Sequence, residues 1–476
     1  MISRLGKSLS RKNPAPNEFR FILVVGTLYL SCFSLTLFMP NAFFWDDWIN
    51  YFNKSARDVR TSTGPFSGFS PLRLVVEGWM AEHWITGFRI LTFLLFPVAA
   101  LLLFNTLKSS RFLSRAEVLV VSAVFLLAPV NSARNSMTIL MYTSCYASFF
   151  GGWYLFARKT SLIPRLLALC LFLNSFDTAS LIMFMAVPLG LSLAEEIHTA
   201  RDLRRWLARN WAFVLSPVAY WFIEPTLNPT LDQIRAEYYT PKMSGISRGL
   251  VLLGGIALVI LLLGRKKHWR YESHRGQIQI SAGMVVLWFG IFPYMALGHF
   301  PNLESLLIGF VPGQSDWDSR HQLLMPLALA LIILGMLNLI KRQTLLISAT
   351  PVLLVCSVLN LTFSQEYYLD SIKASHIIRE FSQNSELSKM TLVLIDDQAP
   401  RFNARGRRIR SYEWDAMLRA ALGSNAPMSD VLRFVDCTSL KPDAIVTIAA
   451  ARGKMMTLLS RDPKISLSVS KINICR

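Results

Sequence analysis

An acidic pair flanked by aromatic residues follows the first long apolar stretch of the chain. Segment 43–48, with the sequence FFWDDW, places the adjacent carboxylates of Asp46 and Asp47 beside an apolar boundary, where ionised groups are costly to hold. Such an acid can take a proton from a hydroxyl group, while Trp45 and Trp48 can raise its pKa and stack on a sugar ring. The alternative is an amphipathic surface helix that one aspartate caps and the tryptophans anchor at the membrane interface.

The composition indicates that a membrane surrounds most of the chain. Of its 476 residues, 53% are hydrophobic and only 17% are charged, which is too apolar for a soluble protein of this size. The formal net charge of +19 is distributed in short clusters between apolar runs. Nucleic-acid binding would require the basic residues on one exposed surface, so we expect no nucleic-acid partner and attribute the charge to membrane topology.

Eleven apolar runs approach the roughly 20 residues that a spanning helix needs. The two runs between 161 and 194 are short, and a re-entrant hairpin is the alternative for them; losing both still leaves an odd number of spans. The runs lie near 20–39, 87–107, 116–130, 138–156, 161–174, 178–194, 210–224, 248–264, 278–297, 322–340 and 344–363.

The distribution of basic residues predicts the orientation of these spans. With the amino terminus in the cytoplasm, the cytoplasmic segments carry roughly twice as many Lys and Arg residues as the outside segments of the membrane region. The first run is too long for a cleaved signal peptide and lacks a small-residue cleavage pattern. We therefore expect a membrane domain over 1–363, with its first outside loop at about 40–86, and a tail on the opposite side from the amino terminus.

Residues 364–476 change to short alternating strands and helices, which predicts a small α/β domain outside the cytoplasm. After its first strand, Asp396 and Asp397 precede five arginines between 401 and 410; we interpret this segment as a solvated basic loop, with anion binding as the alternative. Cys437 and Cys475 also lie in this tail, and whether they pair stays open. The predicted elements are strands at Thr391–Ile395, Ala444–Ala449 and Ile465–Ile474 and a helix at Tyr412–Leu422.

This arrangement resembles the GT-C superfamily of membrane glycosyltransferases. The shared features are a basic amino terminus, one helix, and an aromatic-flanked acidic pair in the first outside loop of a protein with about eleven spans. The resemblance implies a mainly α, polytopic fold, with Asp46 or Asp47 as catalytic base and a sugar donor carried on a polyprenyl phosphate. The chain is also similar in layout to bacterial glucosyltransferases that modify O-antigen, which implies the bacterial inner membrane and a periplasmic or extracellular tail.

A lipid-phosphate donor requires cations at the outer membrane face, because the leaving phosphate develops charge as the glycosidic bond breaks. Arg320 is the strongest candidate, since it begins the tenth predicted helix and a guanidinium can hold phosphate through two parallel hydrogen bonds. The alternative is an arginine that only snorkels to lipid headgroups. The other candidate cations are His321, Arg134, Arg235 and Lys242, and the candidates for binding the acceptor sugar are Trp45, Trp48, Glu237 and Tyr238.

We therefore expect an enzyme that moves a sugar from a polyprenyl-phosphate carrier to a glycan, lipid or protein acceptor on the outer side of the membrane. No cofactor is required, although the acidic pair could hold a divalent metal. One alternative is an O-antigen polymerase or ligase with a pyrophosphate donor, which would give the arginines the leading role. A flippase or other transporter and a non-catalytic scaffold are the remaining alternatives.

Overall fold

The computed structural model describes a mainly helical protein with one small sheet. The described residues are 16–39, 42–45, 47–48, 71–158, 161–178, 180–227, 241–263, 271–298, 324–340, 345–423, 426–431, 443–455, 457 and 463–471.

Where its residues are described, each of the eleven predicted apolar runs lies mostly on helix. The run near 178–194 is divided at Met185 into two short helices, and the run near 210–224 is the second half of a longer helix. The helices before the sheet are α1 (Pro16–Phe33), α2 (Pro71–His83), α3 (Gly87–Leu107), α4 (Arg115–Leu127), α5 (Ile139–Ala157), α6 (Leu162–Ser175), α7 (Ser180–Phe184), α8 (Ala186–Glu196), α9 (Ala200–Leu227), α10 (Met243–Leu263), α11 (Tyr271–Ala296), α12 (Met325–Leu339) and α13 (Leu345–Gln383).

Five helical segments among the described residues are long and apolar enough to cross a membrane: Pro16–Phe38, Gly87–Leu107, Met243–Leu262, His274–Ala296 and Leu345–Gln383. They indicate an integral membrane protein. Two further apolar helices, α6 and α12, are shorter than a full span. The prediction of eleven spans therefore stays a prediction.

A buried carboxylate joins the ends of three helices. Glu117 closes a capping box with Ser114 at the start of α4. The same carboxylate also accepts hydrogen bonds from Arg275, from Gln279 Nε2 at 2.9 Å and from Asn338 Nδ2 at 2.7 Å. These contacts bring together helix ends that the charge distribution predicts to be cytoplasmic. Which side of the membrane this end faces stays a prediction.

Glycines allow α11 and α12 to approach closely. A Cβ atom added at Gly335 would lie 2.6 Å from the carbonyl oxygen of Gly276, and one added at Gly283 would lie 2.9 Å from the carbonyl oxygen of Ala328. Neither distance is compatible with a real side chain, so the backbones of the two helices are in direct contact.

The sheet has the strand order β2-β1-β3-β4. Strand β1 (Leu392–Asp397) pairs in parallel with β2 (Met428–Val431) and β3 (Ala444–Ala450), and β4 (Ile465–Lys471) pairs antiparallel with β3. The sequence predicted β1, β3, β4 and helix α14 (Ser411–Leu422) and missed β2. We call β1–β4, α14 and the loop 398–410 the sheet region.

Helix α13 connects the membrane helices to the sheet region. Its 39 residues correspond to a length of about 58 Å, whereas the hydrocarbon core of a bilayer is about 30 Å thick. The first half is apolar, and the second half carries Ile377 and Phe381, which are buried in the core of the sheet region. The predicted boundary at 363 therefore falls inside one continuous helix.

Candidate functional site

The first-loop motif, the segment between α4 and α5, and the sheet region meet at one end of the helix bundle. Of the predicted site residues, this part of the structure describes Trp45, Asp47, Trp48 and Arg134. The predicted residues that lie outside the described ranges are Asp46, Arg235, Glu237, Tyr238, Arg320 and His321. Lys242 lies within them.

Asp47 is completely buried, and both oxygens of its carboxylate accept hydrogen bonds. Its Oδ1 atom accepts from Ser136 Oγ at 2.6 Å and from both the backbone nitrogen and Oγ1 of Thr138 at 2.9 Å. Its Oδ2 atom accepts from the backbone nitrogens of Met137 at 3.0 Å and Phe44 at 3.1 Å. Five donors therefore fix this carboxylate.

These donors place Asp47 just before the first turn of α5, where backbone N–H groups and the helix dipole favour a negative charge. Burial raises the pKa of the Asp47 carboxyl, whereas Arg89 and the hydrogen bonds oppose that rise. The side chain joins the first loop to the α4–α5 segment. Since both oxygens are engaged, we assign Asp47 no metal ligand role, and residues 16–471, where described, contain no group of three metal-ligating side chains.

Arg134 lies in the 3-10 turn Ser132–Asn135 and is 8% exposed. Its guanidinium carbon is 4.1 Å from the ring centroid of Phe33 and 4.4 Å from that of Phe96, so the cation is held between two aromatic faces. Its Nε atom donates to the Asn131 carbonyl at 3.2 Å, whereas Nη1 has no hydrogen-bond partner among the described residues. Burial lowers the pKa of Arg134, because an apolar environment disfavours the charged form.

No carboxylate of the described residues pairs with Arg134. A buried arginine in that position is unusual, because an unpaired charge in an apolar environment is strongly unfavourable. Arg134 lines a narrow crevice between α1 and α3, together with Arg89 and the hydroxyl-bearing residues Tyr29, Thr36 and Thr92. The Thr92 hydroxyl also has no hydrogen-bond partner. An anion with several oxygen acceptors would satisfy these groups, but the crevice would have to widen to admit it, because its free volume of about 10 Å³ corresponds to a single water molecule.

Arg89 contributes a second cation to the crevice. Its guanidinium donates to the carbonyls of Met39, at 2.6 Å, and Ala42, which precede the acidic motif. The guanidinium carbon also lies 5.8 Å from the ring centroid of Phe44. Arg89 therefore fixes the entry of the first loop as well as lining the crevice.

No protein-family model, no curated protein and no solved structure matches this chain. The GT-C resemblance consequently rests on the sequence arrangement alone, and the chemistry of the site has to be argued from its own geometry.

Trp45 and Trp48 are almost fully buried in this structure. The Trp45 ring packs edge-on against Tyr367 at 5.5 Å, and Trp48 lies in the core of the sheet region beside Phe43, at 5.1 Å. The protein itself occupies the ring faces that a sugar would stack on. Their role in acceptor binding stays a prediction, and it would require these contacts to open.

The basic loop of the tail differs from the solvated segment that the sequence suggested. Arg401, Arg408 and Arg410 are exposed, but Arg405 and Arg407 are buried. The solvated interpretation is therefore wrong for those two residues. The sequence offered no signal for this difference, because the carboxylates of Glu366 and Asp370, which pair with Arg405 and Arg407, lie 39 and 37 positions earlier in the chain.

Proposed function

We propose that this chain is a membrane glycosyltransferase of the GT-C type, which moves a sugar from a polyprenyl-phosphate carrier to a glycan, lipid or protein acceptor. The observation that carries the proposal is the buried guanidinium of Arg134, which has no carboxylate partner among the described residues and lies in an aromatic-lined crevice near the acidic first-loop motif. A phosphate held there would supply the counter-ion that the described chain does not provide. The developing charge of the leaving group would then be stabilised by a cation already in place.

The two aspartates receive different roles in this proposal. Asp47 already accepts five hydrogen bonds, so accepting a proton would require it to release donors that hold the fold. We therefore assign the general base to Asp46, which would deprotonate the acceptor hydroxyl for direct displacement at the sugar. Arg320 and Arg235 stay candidates for further phosphate contacts.

The test is sugar transfer by the purified protein from a polyprenyl-phosphate sugar, with Arg134→Lys and Arg134→Ala as variants. Lysine keeps the charge but loses the planar group that stacks between Phe33 and Phe96. We expect turnover to fall in the order native, Lys, Ala, with the alanine variant reduced by about 100-fold, as for removal of one charge-stabilising donor.

Arg158→Ala is the matched control, because Arg158 also stacks on an aromatic ring, that of Tyr154 at 4.2 Å, but at the opposite end of α5. It should transfer sugar at the native rate. Native turnover by Arg134→Ala would remove the observation on which the proposed function stands.

A polymerase or ligase that uses a polyprenyl-pyrophosphate donor is the second candidate. It is favoured by the presence of two cations, Arg89 and Arg134, along one crevice. A pyrophosphate carries more charge than a monophosphate ester, so a second cation beside the crevice would favour it. Transfer from a pyrophosphate donor, with none from the monophosphate donor, would decide for this candidate.

A further inference from the structure

Trp45 has a backbone conformation that a bulky residue rarely adopts. Its φ angle is +49°, in the left-handed region, and it directly precedes the acidic pair. Strained backbone of this kind persists only where surrounding contacts hold it, and it is concentrated at functional sites. The contacts that hold Trp45 therefore control the path of the chain into the motif.

Two of those contacts come from the sheet region, more than 360 residues away in sequence. The backbone nitrogen of Trp45 donates to Glu413 Oε2 at 3.2 Å, and the two residues are 368 positions apart in the sequence. The guanidinium carbon of Arg407 lies 5.1 Å from the ring centroid of Trp45. The Glu413 carboxylate thus holds the backbone of Trp45, and the Arg407 guanidinium contacts its ring.

Arg407 and Glu413 are themselves fixed by ion pairs. Arg407 Nη1 donates to both oxygens of Glu413 at 2.8 and 2.7 Å, and its Nε donates to Asp370 Oδ2 on α13 at 2.9 Å. All three side chains are buried. Burial alone would lower the pKa of Arg407, but the two carboxylates raise it above its ordinary value, so the cation persists at any pH at which the protein functions.

The motif is also attached to the helix bundle. Asp47 is fixed by donors of segment 136–138, which belong to the helix bundle and not to the sheet region, whereas Trp48 packs in the core of the sheet region. The motif therefore contacts both parts of the protein. A displacement of the sheet region would break the hydrogen bond to the Trp45 backbone and leave the hydrogen bonds of Asp47 to segment 136–138 in place.

We propose that the sheet region is a clamp for the first-loop motif, in which Arg407 and Glu413 act as positioning residues for the reaction. The effect on the reaction rests on the proposed function. The clamp itself is a set of contacts that is measurable without any substrate. Small errors in the placement of reacting groups reduce rate far more than binding, so the clamp should act on kcat.

Hydrogen exchange in the full-length protein tests the clamp, with Glu413→Ala, Glu413→Gln and Asp415→Ala as variants. Alanine removes the acceptor of the Trp45 N–H, whereas glutamine keeps an oxygen acceptor and loses the charge. Asp415 is the matched control: it lies on the same helix and accepts from the backbone nitrogen of Ser429 at 2.6 Å, which belongs to β2, and it has no bond to the described residues of the first loop.

We expect exchange of the segment 42–48 to accelerate by about tenfold or more in Glu413→Ala, because a hydrogen bond to a charged acceptor is lost. Glu413→Gln should give a smaller acceleration, and it keeps the test valid if the alanine variant does not fold. Asp415→Ala should accelerate exchange around 411–431 and leave 42–48 protected. Native protection of 42–48 in both Glu413 variants, or equal loss in the control, would overturn the clamp.

Turnover measured on the same proteins tests the catalytic consequence. We expect kcat of Glu413→Gln to fall by about 10- to 100-fold with KM for the donor nearly unchanged. Faster exchange at 42–48 with native kcat would overturn the positioning role. If the wild-type protein transfers no sugar at all, the proposed function fails, and the exchange measurement still decides whether the clamp exists.

Discussion

Replacing Asp47 by asparagine tests whether this carboxylate holds the first loop or carries out the reaction. Asparagine preserves the shape but substitutes an NH₂ group for one oxygen. In its better orientation, the amide oxygen keeps the three donors on Oδ1, and the NH₂ group then faces the backbone nitrogens of Phe44 and Met137. Two buried donors are left without an acceptor.

The expected cost follows from those two donors. A buried donor without a partner costs about 1–3 kcal/mol, so the free energy of unfolding should fall by about 2–6 kcal/mol. Loss of the negative charge near Arg89 acts in the same direction. Such a change is large relative to the net stability of a folded protein.

The assay is denaturation of the purified protein in detergent, followed by turnover of the folded fraction. Asp396→Asn is the control, because the Asp396 carboxylate accepts from the Gln398 side chain at 2.7 Å in an exposed contact, and its stability should change by less than about 0.5 kcal/mol. Asp46→Asn should lose about 100-fold or more in turnover at native stability. An Asp47→Asn protein with native stability and no turnover would make Asp47 the base and refute the assignment.

Two further predictions concern the architecture. Gly335→Ala should destabilise the protein by about 1–3 kcal/mol in thermal denaturation, because the new Cβ would lie 2.6 Å from the Gly276 carbonyl oxygen. The control is Gly255→Ala on α10, where a new Cβ has no atom within 4 Å. That variant should be neutral or slightly stabilising. The orientation is tested by single cysteines in a cysteine-free background. A cysteine that replaces Arg419 in α14 should react with an impermeant thiol reagent in intact cells, whereas one that replaces Arg201 should react only after permeabilisation. The reverse result would invert the predicted orientation.

The sequence predicted helix positions well where hydrophobicity alone decides them. The run at 87–107 coincides with α3, and the predicted strand at 444–449 lies within β3, because long apolar stretches and buried strands are local patterns. The continuation of α13 beyond 363 was missed. Its second half is amphipathic and packs on the sheet region, so a hydropathy criterion ends the helix where the apolar run ends.

The candidate site was predictable in part. The acidic motif and Arg134 were identified because their residue types are unusual beside apolar runs. Arg407, Glu413 and Asp370 were not, because their pairing joins segments that no sequence periodicity relates. Among the described residues at this end, Asp47 and Arg407 are buried with partners that compensate their charge, whereas Arg134 is buried without a carboxylate partner. Asp47 has five donors and Arg407 has two carboxylates, while Arg134 retains an unbonded Nη1 atom.

That imbalance predicts that an anionic ligand stabilises the protein through Arg134. A ligand that binds only the folded state at 100 times its Kd adds about 2.7 kcal/mol to the free energy of unfolding. A short-chain polyprenyl phosphate should therefore raise the melting temperature of the wild type and of Arg158→Ala, but not that of Arg134→Ala. The corresponding polyprenol, which has the same apolar chain without the phosphate, serves as the control for nonspecific lipid binding and should have little effect on any of the three proteins. Equal stabilisation of Arg134→Ala by the phosphate would show that the anion binds elsewhere, and equal stabilisation by the alcohol would show that the apolar chain and not the charge is recognised.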